Sequence, residues 1–273
     1  MNSFVAGLLI FRTPVILAIL LICDQYSVAQ SFLPVMQQSP DGNVIAHMIW
    51  GDQDPFSDNS IQEKIRKGKE KGFQLMSIET CGEQTYAFML DRPSIYGSTY
   101  LQTESWNELT VRIVNFWDKG YQLVDIETAP NLYWAVFQKD DDLTNSTYVH
   151  EASYDEMNVG IRKFWDLGYD LVGMDQGDGH WTAVMVDSSK IHDSGYDYAT
   201  NYHDLMVKVN EMSVQGFQLQ DMTVNGDFSM WAVVYVRSTD ILKSEKRLHL
   251  SPSEFEREGT TWDVYEYVKT GCW

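Results

Sequence analysis

Between residues 57 and 250 one pattern of apolar and polar positions recurs along the chain. The copies open with apolar residues at i and i+4, joined in the second and third by i+7 and i+8 and in the fourth by i+7, the spacing of a single helical face. The columns are Leu109, Ile113, Phe116, Trp117, then Met157, Ile161, Phe164, Trp165, then Leu205, Val209, Met212. Ser105 with Glu108 and Ser153 with Glu156 read as capping boxes at the starts of these helices, and Asn201 with Asp204 as a weaker form. A glycine then ends each helix as a left-handed cap. Two β-branched and aromatic runs follow, bounded by turn residues, and read as strands. The clearest pair is Tyr121 to Glu127 and Tyr133-Trp134-Ala135-Val136-Phe137. A third, more polar strand around Tyr100, Tyr148 and Tyr196 leads into the next helix.

The register is strict. Lys71-Gly72-Phe73-Gln74-Leu75 recurs as Lys119-Gly120-Tyr121-Gln122-Leu123, Leu167-Gly168-Tyr169-Asp170-Leu171 and Gln215-Gly216-Phe217-Gln218-Leu219, so the glycines are 48 residues apart throughout. The chain is a repeat protein. The expected fold class is α+β, with tandem α-β-β-β units at about 57–104, 105–152, 153–200 and 201–250. The strand-like run Val44 to Trp50 reads as a lone second strand, and Thr261 to Gly271 as a lone capped helix. Together (43–51 with 252–273) they suggest a split fifth unit that closes a toroidal or propeller-like array. The alternative is an open array with irregular caps, because Gly68 and Lys69 occupy positions that are large and apolar in the other helices.

Trp117-Asp118-Lys119-Gly120-Tyr121-Gln122-Leu123 with Trp134-Ala135-Val136 resembles a family of tandem structural repeats. Trp165-Asp166-Leu167-Gly168-Tyr169-Asp170-Leu171 is nearly as close. Such repeats occur in bacterial proteins and in the non-catalytic region of secreted fungal polyglycine hydrolases, and a similar one in plant casein-kinase-like C-terminal regions. The first and fourth units depart from the pattern, with Lys69 and Ser213 in place of tryptophan. The resemblance spans about residues 44–240 and implies a toroidal or propeller-like fold without chemistry. The catalytic part of those hydrolases carries a Ser-x-x-Lys motif, which this chain lacks.

Composition adds a compartment. Residues 1–29 read as a secretory signal: Arg12, the apolar run Val15 to Cys23, then Ser27-Val28-Ala29 before a cut ahead of Gln30. Localisation is therefore expected to be secreted and extracellular, with one domain over 30–273. The chain holds 39 acidic and 20 basic residues, a net charge of −19, and 44% hydrophobic residues. That hydrophobic content supports a packed core, and the acidity argues against nucleic-acid or anionic-membrane binding. Cys81 and Cys272 remain after signal removal, either as a disulfide between neighbouring units or as two unrelated thiols. Asn145-Ser146-Thr147 is a candidate glycosylation sequon.

Candidate chemistry is sparse. The histidines (His47, His150, His180, His192, His203 and His249) form no H-E-x-x-H or close ligand pair. Asp175 to His180 faintly resembles a calcium loop but aligns with the turn between two strands. Glu79, Glu127 and Asp175, with Thr223 in the fourth unit, form a column at equivalent positions. It reads either as weak cation or polyol ligands at a shared centre, or as strand-end residues in water. Glu127 with Asp175 is also the candidate acid–base pair of an enzyme. No metal or cofactor is expected. The preferred function is a non-enzymatic extracellular matrix scaffold, whose partner is a matrix component or a glycan; the alternative is a lectin-like carbohydrate-binding module, with exposed tryptophans stacking on sugars.

Overall fold

The structure is a computed structural model that describes residues 36–38, 44–81, 84–224 and 229–238. It is a mixed α+β array. The first sheet holds β1 (Met36–Gln38), β2 (Val44–Asp52), β3 (Gln74–Cys81) and β4 (Gln84–Leu90), with helix α1 (Ile61–Glu70) inserted after β2. The second unit is β5 (Ile95–Thr103), α2 (Trp106–Trp117), β6 (Gln122–Ala129) and β7 (Leu132–Asp140). The third is β8 (Leu143–Glu151), α3 (Tyr154–Trp165), β9 (Asp170–Gly177) and β10 (His180–Ser188). The fourth is β11 (Ile191–Ala199), α4 (Tyr202–Val214), β12 (Gln218–Val224) and β13 (Trp231–Ser238).

All pairings are antiparallel, in the orders β1-β2-β4-β3, β5-β7-β6, β8-β10-β9 and β11-β13-β12. The hydrogen-bonded unit is therefore β-α-β-β, not the expected α-β-β-β. The strand before each helix joins the sheet formed after it, so β5 and β6 run parallel on either side of β7. This corrects the reading of Val44 to Trp50. That run is an inner strand of the first sheet, between β1 and β4 and paired to β4 from Ala46↔Leu90 to Asp52↔Gln84, and it matches β5, β8 and β11 rather than a second strand. The first unit is complete without it being lent to a fifth. Residues 252–273, the other half of the expected split unit, lie outside the described residues, and no closed barrel or propeller is formed by those that are described.

The helix ends follow the sequence. Ser60, Ser153 and Asn201 accept N–H bonds from Glu63, Glu156 and Asp204. Ser105 occupies the same cap position but makes no such bond. The four recurring glycines have φ of 96°, 78°, 88° and 86°. Each helix closes with a bond from the residue after the glycine back to the helix, as in Tyr121 N–H to Phe116 C=O at 3.0 Å.

Each central strand is buried on both faces, which explains its unbroken apolar run. On β7, Tyr133, Ala135 and Phe137 pack with Leu109 and Ile113 of α2, while Trp134 and Val136 pack into the core around α1. On β10, Ala183 and Met185 belong to the α3 core, and Val184 and Val186 to the α2 core. Every core between neighbouring units is thus shared by one helix, its own sheet and the next sheet. Where Gly68 replaces the phenylalanines of α2 and α3, Met89 lies directly against it.

Gly177, at the end of β9, lies so close to Thr128 of β6 that a β-carbon there would overlap the threonine carbonyl and hydroxyl. Gly177→Ala is expected to lower the unfolding midpoint, by about 1–3 kcal/mol of overpacking. Gly173→Ala, whose β-carbon would meet nothing closer than 3.6 Å, is expected to do far less. Urea denaturation of the two variants checks this.

Candidate functional site

The carboxylate column lies on β3, β6, β9 and β12, the edge strands that touch one another from unit to unit. An edge strand leaves every second N–H without a strand partner. Here the next unit supplies the acceptors. Asp125 on β6 accepts the Ile78 N–H of β3 at 3.0 Å. Glu127 accepts both the Thr80 N–H (2.8 Å) and the Thr80 hydroxyl (2.6 Å). One unit later, Asp175 accepts the Thr128 N–H and hydroxyl at 2.7 and 2.6 Å. Asp221 then accepts the Met174 N–H at 2.7 Å, and the Thr223 hydroxyl donates to Asp175 at 3.3 Å. Glu79, Glu127, Asp175 and Thr223 are only 7–8% exposed. Of the two expectations for this column, water-facing strand ends is incorrect: burial puts the carboxylates between units. Asp125 and Asp221 belong to the same ladder and escaped sequence reading, although their offset of two from the named column was visible.

A bulge at the same point of each edge strand prepares a second row of bonds. It falls at Met76, Val124, Val172 and Gln220, each just after the repeated leucine. The leucine N–H turns to a serine on the next unit: Leu75 to Ser98 (2.8 Å), Leu123 to Ser146 (2.8 Å) and Leu171 to Ser194 (2.9 Å). Trp117 and Trp165 donate their indole N–H to the latter two serines, at 2.8 and 3.1 Å. Of the tryptophans on the helices and central strands, Trp134 and Trp181 are buried, while Trp117, Trp165 and Trp231 are half-buried.

The histidines that the structure brings together are His150 and His180. Trp106, His150 and His180 form a stack, with ring centroids 3.5 and 4.5 Å apart. His150 Nδ1 lies 2.9 Å from the Thr182 hydroxyl, and the His180 Nδ1–H donates to the Asp178 carbonyl. Asp178 accepts the Tyr133 hydroxyl on its side chain; burial, and then that bond, raise the Tyr133 pKa to about 12. Burial, reinforced by His180 and opposed by Asp178, pushes the His150 pKa down from 6.5 to about 4. Parallel rings cannot converge on one ion. No cluster of three or more metal-ligating side chains occurs among the described residues. The Asp175–His180 segment is the expected strand turn, with Asp178 and Gly179 at positive φ.

The remaining candidates are positioned as follows. Asn145 is exposed on β8. Cys81 ends β3, and Cys272 lies outside the described residues, as do the signal segment and His249. No described helix is long and apolar enough to cross a membrane. In comparison with known proteins, the chain matches no family model and no curated sequence.

Three outcomes follow from this geometry. Asp175→Ala leaves the buried Thr128 N–H without this acceptor, at a cost of about 2 kcal/mol, and is expected to lower the melting temperature by about 4–8 °C. A calcium titration of the wild type by thermal shift is expected to move nothing. For His150, the unfolded state binds a proton near pH 6.5 and the folded state near 4. Between those values the unfolded state holds more protons, so His150 makes stability fall as pH falls from 6.5 towards 4. The difference in melting temperature between wild type and His150→Phe, measured across that window, should shrink or reverse on acidification.

Proposed function

We propose that this chain is a secreted, acidic, non-enzymatic repeat protein that serves as an extracellular matrix scaffold. The observation that supports this reading most directly is the carboxylate ladder. Of the acids that the sequence offered for cation binding or acid–base chemistry, Glu127 and Asp175 are buried acceptors of the preceding unit's main chain, and Glu79 is equally buried. Glu127 and Asp175 each bind a threonine N–H and hydroxyl through one carboxyl oxygen, a role that holds them fixed. The signal segment, the sequon at Asn145 and the pairing of Cys81 with Cys272 belong to this same proposal, as does membership of the tandem-repeat family. A toroidal or propeller-like closure is part of it too. In its favour, Phe88 and Leu90 on the first sheet are buried with Met76, on the face that in later sheets meets a preceding unit.

A lectin-like module is the second reading, with a glycan as partner. Tyr96 (63% exposed) and Tyr198 (49% exposed) favour it, since exposed aromatic faces stack on sugar rings. A glycan array on the secreted protein, run with calcium and with chelator, separates the two. The scaffold reading expects no dose-dependent sugar binding in either arm. Saturable binding to a defined glycan would replace it with the lectin reading.

A further inference from the structure

The first unit departs from the repeat at three places that border one cleft of about 640 Å³ between α1 and β5. In the next two units a tryptophan fills this wedge: Trp117 stacks on Tyr148 with centroids 6.4 Å apart and planes at 22°, and Trp165 on Tyr196 at 5.6 Å and 23°. Lys69 stands at that position in α1, lining the cleft together with Tyr100, and its ammonium bonds the Ser98 carbonyl. Ser98 Oγ accepts the Leu75 N–H, as Ser146 accepts that of Leu123, but no indole N–H reaches it.

The second departure is the link from β2 to α1. It runs from Gln53 to Ser60, where later units use two residues. This loop brings Pro55 to the cleft wall and is held in shape by Asp52, which accepts from Ser57 and Asn59. The next residue, Phe56, is 94% exposed. The third departure is charge: Glu63 stands where the other units have Val111, Val159 and Val207, beside Arg66, whose counterpart in α3 is Arg162. Arg66 is held between Glu63 and Glu70, whereas Lys69 bonds only a carbonyl among its described contacts.

We propose that this cleft binds a planar aromatic ligand of indole size that bears a ring N–H and an anionic substituent. The ring lies on Tyr100 in the place that Trp117 and Trp165 occupy in their own units. Its N–H donates to Ser98 Oγ once the flexible Lys69 stem moves aside, and the anion pairs with the Lys69 ammonium. The cleft volume lies within the range of small-molecule sites, and Ile65 supplies an apolar floor. Burial already disfavours the charged form of Lys69, so a bound carboxylate would stabilise it. This proposal is independent of the scaffold reading.

Saturation-transfer NMR on the full chain, with indole-3-acetate as the probe, tests it. Transfer to the indole protons with a dissociation constant in the micromolar to low-millimolar range is expected. N-acetyltryptophanamide, which lacks the anion, should bind several-fold more weakly; equal or tighter binding would assign the site to a tryptophan side chain of a partner and overturn the anionic requirement. Lys69→Trp refills the wedge with the repeat's own indole. It is expected to keep or raise the melting temperature and to weaken indole-3-acetate at least tenfold, so that the loss cannot come from unfolding. Lys69→Met should weaken the acid but not the amide. Unchanged binding in Lys69→Trp, no transfer at millimolar probe, or binding of methyl glucuronide in place of the indole would each overturn the proposal.

Discussion

The unpaired edge of a β-sheet governs this structure. Each three-stranded unit ends in a strand whose outward N–H groups would recruit another strand. Instead, buried carboxylates and serine hydroxyls on the following unit receive them. Sheets are thereby joined through side chains and do not merge into one continuous ladder. This lets each of the later sheets stay three strands wide and keeps a helix packed between one sheet and the next. The shared cores follow from that arrangement, because the central strand has a helix on one face and the preceding unit on the other.

The acidity has a different meaning once the ladder is seen. Composition alone makes an acidic chain look like a well-hydrated surface. Part of that charge is interior and structural: Asp125, Glu127, Asp175 and Asp221 are all below 10% exposure. Their oxygens accept main-chain N–H groups, and a second donor, as at Thr80 and Thr128, offsets the cost of burying them.

Much of the architecture was legible in the sequence because it is local. The helical faces at Leu109 and Ile113, the glycine caps at 72, 120, 168 and 216, and the aromatic central strands each depend on neighbours within a few residues. Strand partnership was not legible. Tyr100 pairs with Val136, 36 residues away, and Ala46 with Leu90, 44 residues away, and nothing in their alternation says which sheet receives them. The carboxylate column was visible as a column, but its role was not: Asp175 looks the same in sequence whether it meets water or the Thr128 N–H. The cleft beside Lys69 was half legible. The missing tryptophan could be read directly, while the Tyr100 ring beneath it required the fold.

The ladder is also lopsided. One side of each junction is a specific side chain, and the other is largely main chain, which every residue except proline supplies. A unit can therefore change most of its donor strand and still hold the neighbour that follows it, whereas losing a carboxylate breaks a particular junction. Gln176 stands where the earlier units have Thr80 and Thr128. Divergence between copies should then run in a preferred direction along the chain, with each unit answerable mainly to the one before it.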